Sequence, residues 1–212
     1  MRRNFDLSVY LVADPSLCSG RDLSDVVRGA VAGGVTMVQL RNKRGTSLEF
    51  LEQARMLRSI LNIPFLINDR VDIAQEVGAD GVHLGQGDMY AAEARRILGP
   101  DKIVGVTAFT REHFAAIDPG VVDYAGTGPF YATKTEKGKP VLGPDDFRAL
   151  VKISSVPVVG IGGITPNNAA AVIENGAAGV AMMRSISEAP EPKKAAYAFT
   201  SIVATARLRK AS

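Results

Sequence analysis

Two aspartates and two cations sit in this sequence where short apolar runs give way to polar residues. "QLRNK" closes one run with Gln39, Arg41 and Lys43, "IND" closes the next with Asn68 and Asp69, and "GQGD" brings Gln86 and Asp88 after a third. Two carboxylates completed by water suit Mg²⁺, which takes hard oxygen ligands in an octahedron. An arginine grips a phosphate through two hydrogen bonds, and a lysine adds a point charge. A diphosphate would bring its own Mg²⁺, so these cations and carboxylates could form one site. Each feature also has a plainer reading. Aspartates begin many helices as caps, and basic residues are common at exposed strand ends. The two aspartates could instead be an acid–base pair, but no histidine lies near either to support that.

A second group of residues follows later in the chain. "GTGPFYATKTEKGKP", Gly126 to Pro140, gathers glycines, Thr133, Lys134, Thr135 and Lys137 around Glu136. Its composition fits a mobile loop over a phosphate, with Gly126, Gly128 and Gly138 as hinges. "VVGIGGITPNNA" holds Gly162 and Gly163, and "AAGVAMMRSI" ends near Met183 and Arg184. Glycines let backbone N–H groups approach a phosphate, although a tight turn would use them equally. Asn167 and Asn168 can cap the helix that follows. His83, inside "GVHLG", reads as a packed residue with one satisfied hydrogen bond, and His113 as a solvated one on a helix face. Tyr124 and Phe130 could wall a flat ring, with core packing as the default. No nucleophile–histidine–acid set, histidine metal pair or dinucleotide fingerprint is present.

The elements that must position these residues alternate regularly. "SVYLVA" reads as a strand, and "DLSDVVRGAVAGG" as a helix capped by Asp22 and stopped at Gly33-Gly34. "VTMVQLR" is a second strand, and "SLEFLEQARMLRSIL" a second helix with Leu48, Leu51, Ala54, Leu57 and Leu61 at helical spacing. The rhythm continues through "PFLIND", "ADGVHLG", "KIVGVTA", "VVDYAGTG", "VPVVGIGG" and "GAAGVAMMR", each followed by a helical stretch. The last helix starts near Pro192 and buries Ala195, Ala196, Phe199, Ile202, Val203 and Ala206. The strands are apolar on both faces, as parallel strands covered by helices are. Eight strand–helix units predict a closed eight-stranded parallel (β/α)8 TIM barrel forming a single domain over 1–212. A doubly wound open sheet is the alternative, since it gives the same alternation. In the barrel, all the polar residues above fall at strand C-terminal ends, together with Thr107 after strand five.

Composition narrows the partners. The chain has 212 residues, 46% apolar and 22% charged, ordinary for a soluble globular protein. A net charge of +3 with no basic run argues against nucleic-acid binding by bulk charge. Cys18 is the only cysteine, so no internal disulfide or cysteine metal cluster can form, and a cytoplasmic location is expected. Asp6 and Asp14-Pro15 interrupt the N-terminal apolar run, which favours a buried strand over a signal peptide. No stretch has the roughly 18 consecutive apolar residues of a membrane span.

The stretches "YLVAD", "VQLRNK", "INDRVDIA", "ADGVHLGQGDM", "DYAGTGPFYATKT", "VPVVGIGGI" and "GVAMMRSI", in this order, resemble the thiamine-phosphate synthase family across almost the whole chain. The resemblance implies an eight-stranded α/β barrel. It also implies transfer of a hydroxymethylpyrimidine from its diphosphate to the nitrogen of a thiazole phosphate, through a dissociative pyrimidine-methyl cation. By position, Gln39, Arg41, Lys43 and Asn68 would bind the pyrimidine diphosphate, and Asp69 and Asp88 would hold Mg²⁺. Thr133 and Thr135, with Gly162 or Gly163, would contact the thiazole phosphate, near Met183 and Arg184. Thr107 stands where the family commonly has serine and keeps the hydroxyl. Two departures are larger. Arg184 replaces a serine, and Glu136 stands where a lysine reaches the diphosphate, so Lys137 or Lys134 would have to swing in. The expected catalytic set is Arg41, Lys43, Thr107 and Lys137. The partners implied are the two phosphorylated small molecules, with a homo-oligomer allowed for. Other readings are a thiazole tautomerase, disfavoured by Pro129 and by the presence of Asp88, a phosphosugar isomerase, and a non-catalytic barrel that binds thiamine precursors.

Overall fold

The computed structural model describes residues 5–135 and 140–211. In chain order the elements are β1 (Val9–Ala13), α1 (Leu23–Ala32), β2 (Met37–Leu40), α2 (Ser47–Ile60), β3 (Phe65–Asn68) and α3 (Val71–Glu76). There follow β4 (Gly81–Leu84), α4 (Ala91–Leu98), β5 (Ile103–Thr107), α5 (Arg111–Ala115), β6 (Tyr124–Thr127) and α6 (Gly143–Ile153). The chain ends with β7 (Val158–Ile161), α7 (Ala169–Glu174), β8 (Gly179–Met182), α8 (Arg184–Ser187) and α9 (Pro192–Ala211). Every strand pairs in parallel with the next, and β8 pairs with β1, so the sheet closes into a barrel. The open-sheet alternative is thereby excluded.

Strand parity separates two cores. Val9, Leu11, Val38, Leu40, Phe65, Ile67, Val82 and Val104 point outward into the layer beneath the helices. Tyr10, Val12, Met37, Leu66, Ile103, Tyr124 and Val159 point inward and fill the barrel. Burial on both faces explains why the strands read as continuous apolar runs. The helices begin and end on local signals. Asp22 caps α1 by accepting from the Ser24 N–H, and Thr46 with Glu49 forms a capping box on α2. The buried stripe of α2 is Phe50, Ala54 and Leu57, while Leu48, expected on that face, is 64% exposed. Leu48 lies in the first turn, at the end of the helix that faces solvent rather than a neighbour. In α9, Ala196, Phe199, Val203 and Ala206 are buried as expected, with Ala195 and Ile202 half-buried at the stripe's margin.

The N-terminal end of the barrel is held by a device used twice. Asp80, just before β4, accepts from the Phe65 N–H at the start of β3 and from Arg58 of α2 at 3.0 Å. Asp123, just before β6, accepts from the Val104 N–H of β5 and from Arg95 of α4 at 2.6 Å. Arg95 also donates to the carbonyls of Val121 and Gly99, so a buried ion pair is fully hydrogen-bonded. These ties lie at the end opposite the polar strand termini and leave the other mouth free for binding.

Candidate active site

At the C-terminal ends of the strands the barrel opens into a cavity of about 500 Å³. Its wall takes Gln39 from β2, Arg41 from just after it, Asn68 from β3, His83 from β4 and Thr107 from β5. The loops after β6, β7 and β8 contribute Thr133, Lys134, Thr135, Gly162, Gly163, Met183 and Arg184. Lys43, Asp69 and Asp88 stand together beside this lining. Lys137, with Glu136, Gly138 and Lys139, lies outside the described residues.

Asp69 follows β3 directly, in left-handed backbone at φ 62°. Its N–H donates to the His83 carbonyl at 2.9 Å, which ties the residue to β4. Its carboxylate meets the Lys43 ammonium and the Asp88 carboxyl. Burial, and then the Asp88 neighbour, push the Asp69 carboxyl above its usual range, while Lys43 pulls it down. Asp88 is oriented by the Gly85 N–H at 2.7 Å. Neither aspartate caps a helix: the N-cap positions of α3 and α4 are Arg70 and Tyr90. The cap reading therefore fails, and two carboxylates converge from neighbouring loops. No group of three or more potential metal-ligating side chains occurs among the described residues.

Arg41 and Lys43 do not share a side. β2 ends at Leu40, and the chain turns, so Arg41 reaches back to Asp14 at 2.7 Å while Lys43 reaches forward to Asp69. Asp14 also accepts from the N–H and hydroxyl of Ser16, which holds it beneath the arginine.

Under the cavity, polar side chains cross the barrel. Gln39 Nε2 donates to the Tyr10 hydroxyl at 2.5 Å, and the Tyr10 and Tyr124 hydroxyls are 2.8 Å apart. His83 Nδ1 lies 2.9 Å from the Tyr124 hydroxyl, and His83 Nε2 lies 3.0 Å from Thr107 Oγ1. His83 is thus bonded at both ring nitrogens and lines the cavity, more than the single bond expected of it. Burial lowers its pKa to about 4, so the imidazole is neutral. Burial raises the Tyr10 and Tyr124 phenols, which stay protonated. Gly105 makes this possible: a Cβ there would lie 2.2 Å from the Tyr124 ring. Tyr124 and Phe130 are core residues rather than ring walls, Phe130 packing against Phe147. His113 is half-buried, edge-on to Phe109, rather than solvated.

The opposite wall is built on a glycine turn and an arginine. Gly162 and Gly163 have φ of 96° and 64°, and a Cβ on either would lie 2.5 Å from the segment after β6. Glycine alone fits both conditions. β8 stops at Met182, and Arg184 opens the short helix α8, where a strand end was expected. Its Nε donates to Thr135 Oγ1 at 3.2 Å, and its Nη1 pairs with Glu188. Asn168 holds the N-cap position of α7, as expected, but its side chain turns back to accept from the Thr165 N–H at 2.8 Å instead of bonding the first turn of the helix. Gly126 and Gly128 are not hinges. Gly126 lies within β6, and Gly128 is packed so that a Cβ would sit 2.1 Å from the Ile161 carbonyl oxygen.

A family model described as thiamine monophosphate synthase matches residues 9–186. The chain belongs to that family. It is 45% identical to the thiamine-phosphate synthase of Azorhizobium caulinodans over 212 residues, covering 98% of this chain and 100% of the relative. It is 46% identical to that of Leptospira biflexa, covering 90% of this chain and 94% of the relative. Among solved structures, thiamine phosphate pyrophosphorylase from Pyrococcus furiosus superposes with a TM-score of 0.85 at 32% identity, covering 94% of this chain and 96% of the other.

Within the thiamine monophosphate synthase frame, the residues missed by sequence reading are Asp14, Tyr10 and the two-sided role of His83. A signal for the last two does exist. Tyr10, Gln39, His83, Thr107 and Tyr124 all occupy inward parity, and polar atoms at that parity must find partners inside the barrel.

Proposed function

We propose that this barrel joins 4-amino-2-methyl-5-(diphosphooxymethyl)pyrimidine to 4-methyl-5-(2-phosphooxyethyl)thiazole, releasing diphosphate and giving thiamine phosphate. The chain is a transferase-type enzyme of its family. The observation that carries the specific reading is one cavity with two anion-receptive ends. Arg41 lines one side, with Lys43, Asp69 and Asp88 grouped beside that lining, and Gly162, Gly163 and Arg184 line the other.

The reaction needs little from a general base. The thiazole nitrogen carries no proton, its lone pair forms the new C–N bond, and the C–O bond electrons leave with diphosphate. The protein must therefore stabilise the leaving group and hold the nucleophile in line behind it. In this reading Arg41, held by Asp14, and Lys43 would meet the diphosphate. The glycine turn after β7, Arg184 and Thr135 suit the thiazole phosphate. Neutral His83 is a hydrogen-bonding group here, not a proton acceptor for the reaction.

Asp69 and Asp88 fit Mg²⁺. They are two abutting hard-oxygen donors, one raised in pKa by burial and by the other, an arrangement a divalent cation relieves. Two protein carboxylates with water and substrate phosphates is a usual set for this ion. When bound, Mg²⁺ would neutralise charge developing on the departing diphosphate. A cytoplasmic location accords with a phosphorylated small-molecule chemistry, and no helix among the described residues is long and apolar enough to cross a membrane.

The test is direct. Purified protein is mixed with Mg²⁺ and both substrates, and the product is oxidised and read as thiochrome phosphate fluorescence. A Mg²⁺-dependent signal that disappears in Asp69→Ala supports the reading. No product from the wild-type protein, with both substrates still binding by calorimetry, overturns it in favour of a binder.

A further inference from the structure

We infer that Tyr10, Tyr124 and His83 are positioning residues that carry one hydrogen-bond direction across the barrel, so that Gln39 presents its amide oxygen and Thr107 its hydroxyl proton to the substrate ring. This rests on the reading that a pyrimidine occupies the cavity.

The direction follows from what each atom can do. Gln39 Nε2 only donates, and it donates to the Tyr10 oxygen. The Tyr10 proton then has the Tyr124 oxygen as its acceptor, 2.8 Å away. The Tyr124 proton goes to His83 Nδ1 at 2.9 Å. An imidazole that accepts at Nδ1 and is neutral carries its proton on Nε2, which donates to Thr107 Oγ1 at 3.0 Å. The Thr107 proton is left for the cavity, and so is Gln39 Oε1. One other arrangement satisfies every atom, with the Gln39 amide turned over and all four bonds reversed. The chain therefore has two states that switch as a unit, and the amide orientation selects one of them.

Packing keeps the rings in this path. A Cβ at Gly105 would enter the Tyr124 ring, and one at Gly126 would lie 3.1 Å from His83 Cε1. Two interior positions without side chains thus leave the space that the two rings occupy. Tyr10 and Tyr124 are buried at 1% and 0% exposure, so water does not substitute for a missing link.

The consequence is specificity. A 4-aminopyrimidine offers a donor amino group and acceptor ring nitrogens, which complement the amide oxygen at one end of the chain of bonds and the hydroxyl proton at the other. The 4-oxo analogue puts an acceptor where the amino group donates, and would need the Gln39 amide turned over and the chain reversed. Discrimination between the two substrates then reflects the cost of reversing all four bonds together, and the links through Tyr10 and Tyr124 make that cost cooperative.

Two measurements test this. Imidazole ¹⁵N spectra of the wild-type protein, with His83 assigned against His83→Gln, are expected to show the Nε2-protonated tautomer. The Nδ1-protonated tautomer overturns the inference, whatever the protein catalyses. Second, kcat/KM is compared for the 4-amino and 4-oxo pyrimidine diphosphates. The expected result is that Tyr124→Phe and Tyr10→Phe each lower the preference for the amino substrate by about tenfold or more, the worth of one lost directional hydrogen bond. Mere damage to the fold would lower both substrates alike and leave the ratio unchanged, and an unchanged ratio in folded variants overturns the inference. Should either variant fail to fold, the other and the wild-type spectrum still decide. A wild-type protein that forms no product refutes the proposed function instead, and the tautomer still reports on the chain of bonds.

Discussion

Arg41 Nη1 lies 2.7 Å from Asp14 Oδ2, so one cation of the cavity rim is held in place by an acid from the loop that follows β1. The Asp14 side chain is only 6% exposed, and its other contacts, from Ser16, fix its direction. The pair orients the guanidinium of a residue that lines the cavity. Replacing Asp14 with Asn keeps the shape and removes the charge. Asp14→Asn is expected to raise KM for the pyrimidine diphosphate about tenfold, with kcat less affected, and to cost about 2 kcal/mol of stability. Steady-state kinetics and urea unfolding on the same preparation check both parts.

Asp69 and Asp88 are expected to act as one unit toward Mg²⁺. Asp69→Asn and Asp88→Asn should each lower turnover by about a hundredfold or more, and the double variant should be little worse than either. Chelation of the wild-type protein should have the same effect and be reversed by added Mg²⁺. Isothermal titration with MgCl₂ in the presence of diphosphate measures the loss of binding without relying on turnover.

His83 gives the fold a pH dependence with a definite sign. Its pKa falls from 6.5 to about 4 in the folded protein because burial disfavours the charged ring. Between these values the unfolded chain binds a proton that the folded chain does not. Stability contributed by this group is therefore complete above pH 6.5 and is lost as pH falls toward 4, by up to about 3 kcal/mol. Urea unfolding at pH 7 and pH 4.5 should show a steeper loss for wild type than for His83→Gln.

Arg95 is expected to matter for stability alone. It bridges Asp123 and backbone carbonyls at the end of the barrel away from the cavity. Arg95→Met leaves the Asp123 carboxylate buried without this partner and should cost about 3 kcal/mol. The expected signature is a lower melting temperature with kcat/KM unchanged below the transition, measured on the same sample.

Much of this architecture was legible before any coordinates. Eight alternating units gave the barrel, and residues at strand ends such as Asn68, Asp69 and Thr107 marked the mouth. The alternation could not separate closed from open sheets; the pairing of β8 with β1 does that. Contacts across the interior were hidden for a simple reason. Tyr10 and Tyr124 are 114 positions apart, and only strand tilt and parity bring their hydroxyls together. In the sequence Asp14 reads only as an interruption of the first apolar run, with nothing to tie it to Arg41; in the fold it starts a short 3-10 turn and also serves Arg41. The aspartate caps were a fair local reading that failed because Asp69 leaves the strand in left-handed backbone. That conformation directs its side chain toward Lys43 and Asp88 instead of the helix that follows.

That backbone sets two demands on the chain against each other. At φ 62° an aspartate is strained relative to glycine, by roughly 1 kcal/mol. Its carboxylate is also held against a second one. Asp69→Gly would relieve both at once and would delete one of the two carboxylates proposed to hold Mg²⁺. A search for heat-resistant variants that ignores turnover would therefore be drawn to this position, and would recover a sturdier barrel with its chemistry removed.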